Sequence, residues 1–202
     1  MHVFICDFLL DIVQNSFEAG AVHVTLVLKE SDQFLDCTVK DDGKGMSEEV
    51  QKRVLDPFYT DGIKHAKRNV GLGLPFLSQT VLETGGTFDL QSKEGKGTVV
   101  RFVFDLDNVD TPPMGDLPGT LLLLFNHPGA KEFSVERSLS TVKGSGSYQV
   151  GRGELVEALG SLTDSGSLVL LRQFLQSQED ALKPYMVDHP LEQWETKEET
   201  RR

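Results

Sequence analysis

Four segments in which polar and apolar residues alternate constrain the fold of this chain more than any other feature of its sequence. They lie at residues 22–30, 34–40, 87–92 and 98–106, and in each the apolar side chains fall on one face of an extended strand. Strands with one buried face form a mostly antiparallel sheet that helices cover on one side. The sequence therefore predicts an α/β (α+β) fold, in which helices and a mostly antiparallel sheet form a two-layer sandwich.

Helical periodicity predicts three helices that cover this sheet, over residues 4–19, 47–54 and 73–84. The first helix carries one polar stripe on an otherwise apolar surface, formed by Asp7, Asp11, Asn15 and Glu18. Taken alone, such a stripe indicates either a solvated face or a functional site. Residues 55–70 show no periodicity, which inside a compact domain is typical of a binding loop or of a disordered segment.

The composition changes at residues 107–116, a stretch that we interpret as a linker. Beyond it the sequence predicts a helix that Asp116 caps and Asn126 ends, although a buried strand remains the alternative. Two strands and two helices follow, the strands at 132–137 and 147–150 on either side of KGSGS and the helices near 153–161 and 166–182. The chain is thus predicted to divide into an N-terminal domain, a small α+β extension of unknown role and a disordered tail, at residues 1–109, 110–190 and 191–202.

Composition and charge limit the classes of function. The 202 residues carry a formal net charge of −11, which argues against nucleic acid as a partner, because phosphate contacts require clustered Lys and Arg. No apolar run approaches the ~20 residues that span a bilayer, and the opening residues MHVFIC lack the basic region of a signal peptide. We therefore predict a cytoplasmic protein without a membrane contact. Cys6 and Cys37 lie in apolar periodic segments and are expected to be reduced core residues.

The stretch DDGKGM, residues 41–46, directly follows the second predicted strand. A carboxylate at this strand end can accept a hydrogen bond from the exocyclic amine of adenine, whereas guanine presents a carbonyl there. The glycines at positions 43 and 45 allow the backbone to approach a ligand closely. Considered alone, the stretch is also typical of an ordinary turn, since Asp and Gly both favour turns.

A second glycine-containing stretch, NVGLGLPF at residues 69–76, opens the third predicted helix. Free N–H groups and the positive end of the helix dipole make such a start suitable for an anion. The stretch is not a dinucleotide-binding fingerprint, because the third glycine and the preceding strand are missing. Residues 94–98, EGKGT, are not a phosphate-binding P-loop, because Gly97 stands where a hydroxyl residue should follow the lysine.

The order of these motifs is more specific than any one of them. An Asn-bearing helix, a strand ending in DxGxGM, the loop DPFYTD, GLGL opening a helix, and GGTFDLQSKEGKGTVVRFVF follow one another along the chain. Together they resemble the ATP-binding domain of the GHKL superfamily, which histidine kinases, mismatch-repair ATPases, type II topoisomerases and large ATP-dependent chaperones share. The resemblance covers residues 4–106. It implies a histidine-kinase-like ATPase domain, whose two-layer α/β sandwich has a mixed, mostly antiparallel sheet, and it implies ATP and Mg²⁺ as the ligands.

The resemblance also assigns roles to single residues. Asn15 becomes the Mg²⁺ ligand, Asp41 the adenine reader and Thr98 a pocket residue near Asp41. The wall of the base pocket is assigned to Gly43, Gly45 and Met46, and the phosphate-contacting turn to Gly71, Leu72 and Gly73. Segment 55–70 becomes a lid over ATP. This segment carries the basic side chains Lys64, His65, Lys67 and Arg68. We expect them either to contact phosphate or to form an ordinary solvated basic surface.

Two departures from the family pattern bear on activity. The ATP-hydrolysing branches carry a glutamate that activates water, four residues before the asparagine. This chain has Asp11 at that position. Because aspartate is shorter, its reach as a general base is reduced, and we expect slow hydrolysis. The sequence also begins almost at the Asn15 helix, so we expect a stand-alone form without a phosphoacceptor-histidine domain. The resemblance implies ATP hydrolysis or transfer of the γ-phosphate to a partner protein. The alternative is a non-catalytic module in which bound ATP controls the binding of a partner. Both the enzyme and the binding module could form a homodimer.

Overall fold

Six strands lie within the residues that a computed structural model of the protein describes, 4–55 and 73–187. They are β1 (His23–Ser31), β2 (Phe34–Asp41), β3 (Thr87–Lys93), β4 (Gly97–Asp105), β5 (Glu132–Thr141) and β6 (Gly144–Gly151). All six belong to one sheet, in the order β3-β4-β2-β1-β5-β6. The β1–β5 pair is parallel and the other described pairs are antiparallel, so the predicted mixed, mostly antiparallel sheet is confirmed.

The helices of the described residues form a second layer on this sheet. They are α1 (Ile5–Glu18), α2 (Glu48–Val54), α3 (Gly73–Glu83), α4 (Leu117–Phe125), α5 (Arg152–Leu159) and α6 (Ser165–Leu182), followed by a short 3₁₀ helix over Lys183–Tyr185. Helix α1 packs between α3 and α4, and α4 packs on α6. The predicted two-layer α/β sandwich is therefore confirmed. Within the described ranges, no helix combines the length and the apolar content that a membrane crossing requires.

Helix α1 covers the centre of the sheet with its apolar side. Its side chains Phe8, Leu9 and Val13 are at most 2% exposed and belong to the same buried cluster as Leu26 of β1 and Phe102 of β4. Full burial of side chains of this size stabilises the folded state by about 1.5–3 kcal/mol each. The polar stripe of the helix consequently faces away from the core, where its side chains stay at least partly exposed.

Residues beyond the first four strands lengthen the same sheet. Strand β5 pairs with β1 from His23 opposite Glu132 to Ser31 opposite Ser140. Helix α4 contributes Leu121 and Phe125 to the same hydrophobic cluster that α1 occupies. The sequence predicts an α+β extension at residues 110–190. Its described part, residues 110–187, thus shares its sheet and its core with the first four strands.

The linker predicted for residues 107–116 is held against α1. The carbonyl oxygens of Pro113 and Met114 accept hydrogen bonds from the N–H groups of Ile5 and Cys6, each at 2.9 Å. The first N–H groups of a helix have no partner within the helix and must find one elsewhere. The linker therefore supplies two of the bonds that complete the N-terminal turn of α1.

The segment after the linker, for which the sequence allows a helix or a buried strand, is a helix. Residues 117–125 form α4, and the Asp116 carboxylate caps it by accepting a hydrogen bond from the N–H of Gly119 at 3.1 Å. Asn126 ends the helix, as the sequence predicts. The periodicity of so short an apolar run does not distinguish a helix from a strand, but the polar residues at its two ends are typical of helix caps.

The prediction that KGSGS lies between the last two strands is wrong. The turn is formed by Val142 and Lys143, and Gly144 already begins β6. Glycine is unfavourable inside a strand on entropic grounds, but it allows another group to approach closely. A Cβ at Gly144 would lie 2.7 Å from the Tyr185 ring, and one at Gly146 would be equally close to a side chain of α6. Packing of the C-terminal elements against β6 therefore explains the glycines.

A buried ionic cluster joins β1, β5, β6 and α6. Arg137 of β5 is 2% exposed, and its guanidinium donates to Glu30 at 2.5 Å and lies 3.6 Å from Glu179 of α6. The hydroxyl of Tyr148 donates to the same Glu179 oxygen at 2.7 Å. Burial of charges is costly unless each has a partner, so removal of the arginine would leave two carboxylates in an apolar surrounding.

We expect Arg137→Met to lower the free energy of unfolding by about 3–5 kcal/mol, the range for breaking a buried ion pair. A matched control is Arg101→Met in β4, because Arg101 also binds a carboxylate from a strand, that of Asp36 at 2.7 Å, but its side chain is 58% exposed. Exposed pairs contribute ~1 kcal/mol or less. Urea unfolding of both variants measures the difference, and equal losses would contradict the role given to the cluster.

Candidate functional site

The carboxylate of Asp41, at the end of β2, is the centre of the candidate site. The residue is 8% exposed, and its Oδ2 accepts a hydrogen bond from Ser16 Oγ of α1 at 2.9 Å. Its Oδ1 accepts a second from the N–H of Gly43 at 2.8 Å. Thr98 of β4 lies directly opposite Asp41 in the strand register. The two donors fix the carboxylate and leave each oxygen with a further lone pair for a ligand.

The loop after Asp41 folds onto the hairpin between β3 and β4. The carbonyl of Lys44 accepts a hydrogen bond from the N–H of Gly95 at 2.7 Å. Gly45 adopts a φ of +62°, and a Cβ there would lie 2.0 Å from the carbonyl oxygen of Lys93. Only glycine combines this backbone conformation with such a close approach. Gly43 lies behind the carboxylate, where a Cβ would meet Ala19, the residue after α1, at 3.0 Å.

The neighbouring carboxylate of Asp42 has a separate task. Its Oδ1 accepts hydrogen bonds from the backbone N–H groups of Val22 and His23, at 2.7 and 2.8 Å, and Oδ2 lies 2.7 Å from the His23 ring. The bonds from His23 hold the pKa of this carboxyl at about 2, below its usual range. A lowered pKa means that the stabilisation is complete above pH 4 and is lost as the pH falls towards 2. Asp42 thus anchors the loop to the start of β1.

A cavity of about 240 Å³ opens beside Asp41, and we call it the Asp41 cavity. Its polar lining comes from Asn15, Ser16, Asp41, Lys44 and Thr98. Gly45 and Met46 line it too, together with apolar side chains of α1, α2, α3 and β4. The structure thus brings together most of the predicted site residues that it describes. Gly43 and Gly73 are not part of its described lining.

A larger cavity, of about 530 Å³, lies beside the N-terminal turn of α1. It also contains carboxylates, but those of Asp116 and Glu30 are paired with Arg172 and Arg137. Asp7 in its lining accepts the N–H of Phe4 at 3.1 Å. Two of these carboxylates are paired with arginines, whereas none of the described ion pairs involves Asp41, so we assign the site to the smaller cavity.

Asp11 lies next to the first residue of α3. A Cβ on Gly73 would come within 1.5 Å of Asp11 Oδ2, so the carboxylate rests directly on the Cα of this glycine. A negative charge near the N-terminus of a helix is favourable, because the helix dipole is positive there. Asp11 is not part of the described lining of the Asp41 cavity.

The chemistry of Asn15 fits a Mg²⁺ ion that is held mainly by a ligand. Within the described residues no group of three or more His, Cys, Asp or Glu side chains could hold a metal ion. The side-chain amide of Asn15 offers a hard oxygen at the cavity, and none of the described side-chain hydrogen bonds engages it. Mg²⁺ is commonly bound by one or two protein oxygens together with substrate phosphates. Asn15 would be such a protein ligand, while the phosphates would complete the coordination.

Some of the predicted site lies outside the described residues, and some of the observed site was not predicted. Lys64, Lys67, Arg68, Gly71 and Leu72, with nearly all of the predicted lid 55–70, fall in the undescribed range. The polar residues that the cavity lining adds to the prediction are Ser16 and Lys44. Ser16 follows Asn15 directly, and its place on the apolar side of the helix could have indicated a buried polar contact. Lys44 lies inside DDGKGM, between the two glycines assigned to the wall of the base pocket, so the motif itself could have indicated it.

Comparison with known proteins places the first half of the chain in a family. The family model described as histidine kinase-, DNA gyrase B-, and HSP90-like ATPase matches residues 3–108. Among curated proteins, sporulation kinase E of Bacillus subtilis (strain 168) is 36% identical over 94 residues, which cover 45% of this chain and 12% of the kinase. Sporulation kinase C of the same organism is 33% identical over 100 residues, 48% of this chain and 22% of the kinase.

The chain thus spans less than a quarter of these relatives. Among solved structures, the catalytic domain of the histidine kinase ThkA is 23% identical, with a TM-score of 0.39, over 49% of this chain and 64% of that domain.

We expect Gly45→Ala to destabilise the protein more than Gly95→Ala does. Both glycines have a positive φ, of +62° and +72°, so both substitutions carry the same backbone cost of about 1–2 kcal/mol. Only the Cβ at position 45 meets a backbone atom, whereas nothing lies within 4 Å of one at position 95. The additional overlap should cost a further ~1–3 kcal/mol in the free energy of unfolding. Urea denaturation measures both, and equal losses would contradict the close packing of the loop.

Proposed function

The chain belongs to the histidine kinase-, DNA gyrase B- and HSP90-like ATPase family over residues 3–108, and on this basis we propose that it binds ATP and ADP together with Mg²⁺. We further propose that it hydrolyses ATP or transfers the γ-phosphate to a partner protein. The observation that carries the proposal is the buried Asp41 carboxylate, which is fixed by α1 and by its own loop beside a cavity.

Asp41 and Thr98 suit an adenine base. The carboxylate can accept a hydrogen bond only from a donor, and the exocyclic amine of adenine is such a donor. Guanine would present a carbonyl oxygen to the negative charge and be rejected. Apolar side chains of the cavity, including Ile12 and Val100, can pack on the faces of the ring. This combination of an apolar slot and few fixed polar groups is typical of small-molecule sites.

The phosphate end of the nucleotide would lie towards Asn15 and the start of α3. Asn15 is one turn from Asp11 on the same helix, so a Mg²⁺ ion held by its amide would sit near both α1 and α3. The positive end of the α3 dipole favours phosphate charge. With a net charge of −11, the protein requires such compensation to bind a polyanion.

Hydrolysis in this site would use Asp11 as a general base. A water oxygen attacks the γ-phosphorus while the bond to the bridging oxygen of the β-phosphate breaks, so that ADP leaves. Asp11 takes the proton of the attacking water. In phosphoryl transfer, a side chain of the partner protein replaces the water and the γ-phosphate moves to it.

A non-catalytic, ATP-controlled binding module is the second candidate, and the place of Asp11 outside the described lining of the Asp41 cavity favours it. The carboxylate rests on Gly73 at the start of α3, where it stabilises the helix whether or not chemistry takes place. In such a module, nucleotide occupancy would select a conformation of the chain that the partner protein binds.

We expect Asp41→Asn to weaken ADP binding by about 1.5–3 kcal/mol, the range for hydrogen bonds to charged groups. That corresponds to roughly 10- to 150-fold in affinity. The matched control is Asp42→Asn, because Asp42 is adjacent and holds the same loop but does not line the cavity. It should change ADP affinity much less. Titration calorimetry measures both variants, and an unchanged affinity in Asp41→Asn would remove the adenine assignment.

We expect Asn15→Ala and Asp11→Asn to fail in different ways. Asn15→Ala removes a ligand from a metal that has few protein oxygens, so Mg²⁺-dependent ATP binding should fall. Asp11→Asn keeps the shape but removes the basicity, so ATP affinity should persist while turnover drops by about 10²- to 10⁴-fold. Steady-state phosphate release and nucleotide titration distinguish them. Turnover of Asp11→Asn at the parent rate would exclude the base, and a parent protein without turnover would favour the binding module.

A further inference from the structure

Helix α2 is attached to the rest of the protein in an unusual way. None of its residues, Glu48–Val54, is buried. Its last residue, Val54, nevertheless lines the Asp41 cavity. A helix of two turns without a buried side is unstable by itself in water, because its stability normally comes from tertiary packing. Another interaction must therefore hold α2 at the edge of the cavity.

The side chain of Gln51 provides that interaction. Its Oε1 accepts a hydrogen bond from the N–H of Ser92 at 3.2 Å, and its Nε2 donates to the carbonyl of the same residue at 2.8 Å. Ser92 lies in β3, which is an edge strand of the described sheet. The carboxamide thus takes the place of a neighbouring strand at this point, since edge strands present unpaired N–H and C=O groups.

Gln51 and Ser92 also hold the backbone of Met46 from both sides. Gln51 Nε2 donates to the Met46 carbonyl at 3.2 Å, and the N–H of Met46 donates to Ser92 Oγ at 2.9 Å. The same Ser92 hydroxyl lies 2.9 Å from the Thr98 hydroxyl. Met46 and Thr98 both line the Asp41 cavity. One side chain of α2 is thereby connected to two walls of the cavity.

We propose that Gln51 is a positioning residue for nucleotide binding: it fixes α2 and the Met46 backbone so that they form one wall of the Asp41 cavity. The inference rests on the proposed nucleotide-binding function of this cavity. Gln51 is not part of the cavity lining, so it acts through Met46 and Val54 rather than by touching the base.

The effect of this residue should be local. Gln51 is half-buried and no residue of α2 belongs to the main hydrophobic core. Elements with few buried contacts open locally at low free energy without unfolding of the whole domain. Loss of the carboxamide should therefore release α2 while the sheet and α1 remain intact. This distinguishes positioning from a general contribution to stability.

The test compares Gln51→Ala with Lys52→Ala, a control in the same helix at an exposed position. We expect Gln51→Ala to bind ADP about 10-fold more weakly, as the loss of a net hydrogen-bond contribution predicts. Its amides over residues 46–54 should exchange hydrogen faster than those of the parent in the absence of nucleotide. Its free energy of unfolding in urea should stay that of the parent, and Lys52→Ala should match the parent in all three measurements.

A second variant, Gln51→Glu, tests whether hydrogen bonding or shape matters. Glutamate keeps the length of the side chain but places an oxygen opposite the carbonyls of Met46 and Ser92, so it should bind ADP at least as weakly as Gln51→Ala does. ADP affinity and amide exchange at the parent values in either variant would overturn the inference while leaving the proposed function intact. A loss of affinity matched by a loss of global stability would also overturn it. Absence of ADP binding by the parent protein would instead overturn the proposed function, and this inference with it.

Discussion

The packing of α1 on the centre of the sheet is the interaction on which the rest of the structure depends. The helix contacts β1, β2, α3 and α4, and eight of its fourteen residues are buried. One of these eight, Ser16, is polar and donates to Asp41. The helix that fills the core therefore also fixes the carboxylate of the candidate site and carries Asn15 beside it. A change in the position of α1 would alter the core and the site together.

Much of this arrangement follows from local sequence patterns. Alternation identifies β1 to β4 because one face of each strand is turned towards the core, fully buried in β1, β2 and β4 and partly buried in β3. The helical stripe identifies α1 for the same reason. Asp41 and Gly45 are recognisable because a strand end followed by glycine imposes a particular backbone geometry on a short loop. Asp116 and Asn126 likewise mark the ends of α4. In each case the physical cause lies within a few residues of the pattern that reveals it.

The features that could not be predicted depend on contacts between distant segments. The register that places Ser92 beside Thr98, and the docking of Gln51 on the β3 edge, are results of strand pairing and leave no trace in neighbouring residues. Gly144 and Gly146 are unfavourable in a strand by propensity, yet the C-terminal elements require them there. The buried Arg137 cluster could not be predicted for the same reason. An arginine in a strand is normally expected to be exposed, and only its distant carboxylate partners explain its burial.

The parallel pairing of β1 with β5 joins segments that are far apart in sequence and that the ribosome therefore synthesises at different times. His23 pairs in register with Glu132, 109 residues later. A ribosome adds about 5–20 residues per second, so a newly made β1 waits roughly 5–20 seconds for this neighbour. During that interval its outer edge presents unpaired N–H and C=O groups to any other strand in reach, including that of a second nascent chain. The strand that covers the edge of β1 therefore also sets how long each new molecule is exposed to wrong pairing, and hence how strongly its yield depends on the rate of synthesis and on chaperones.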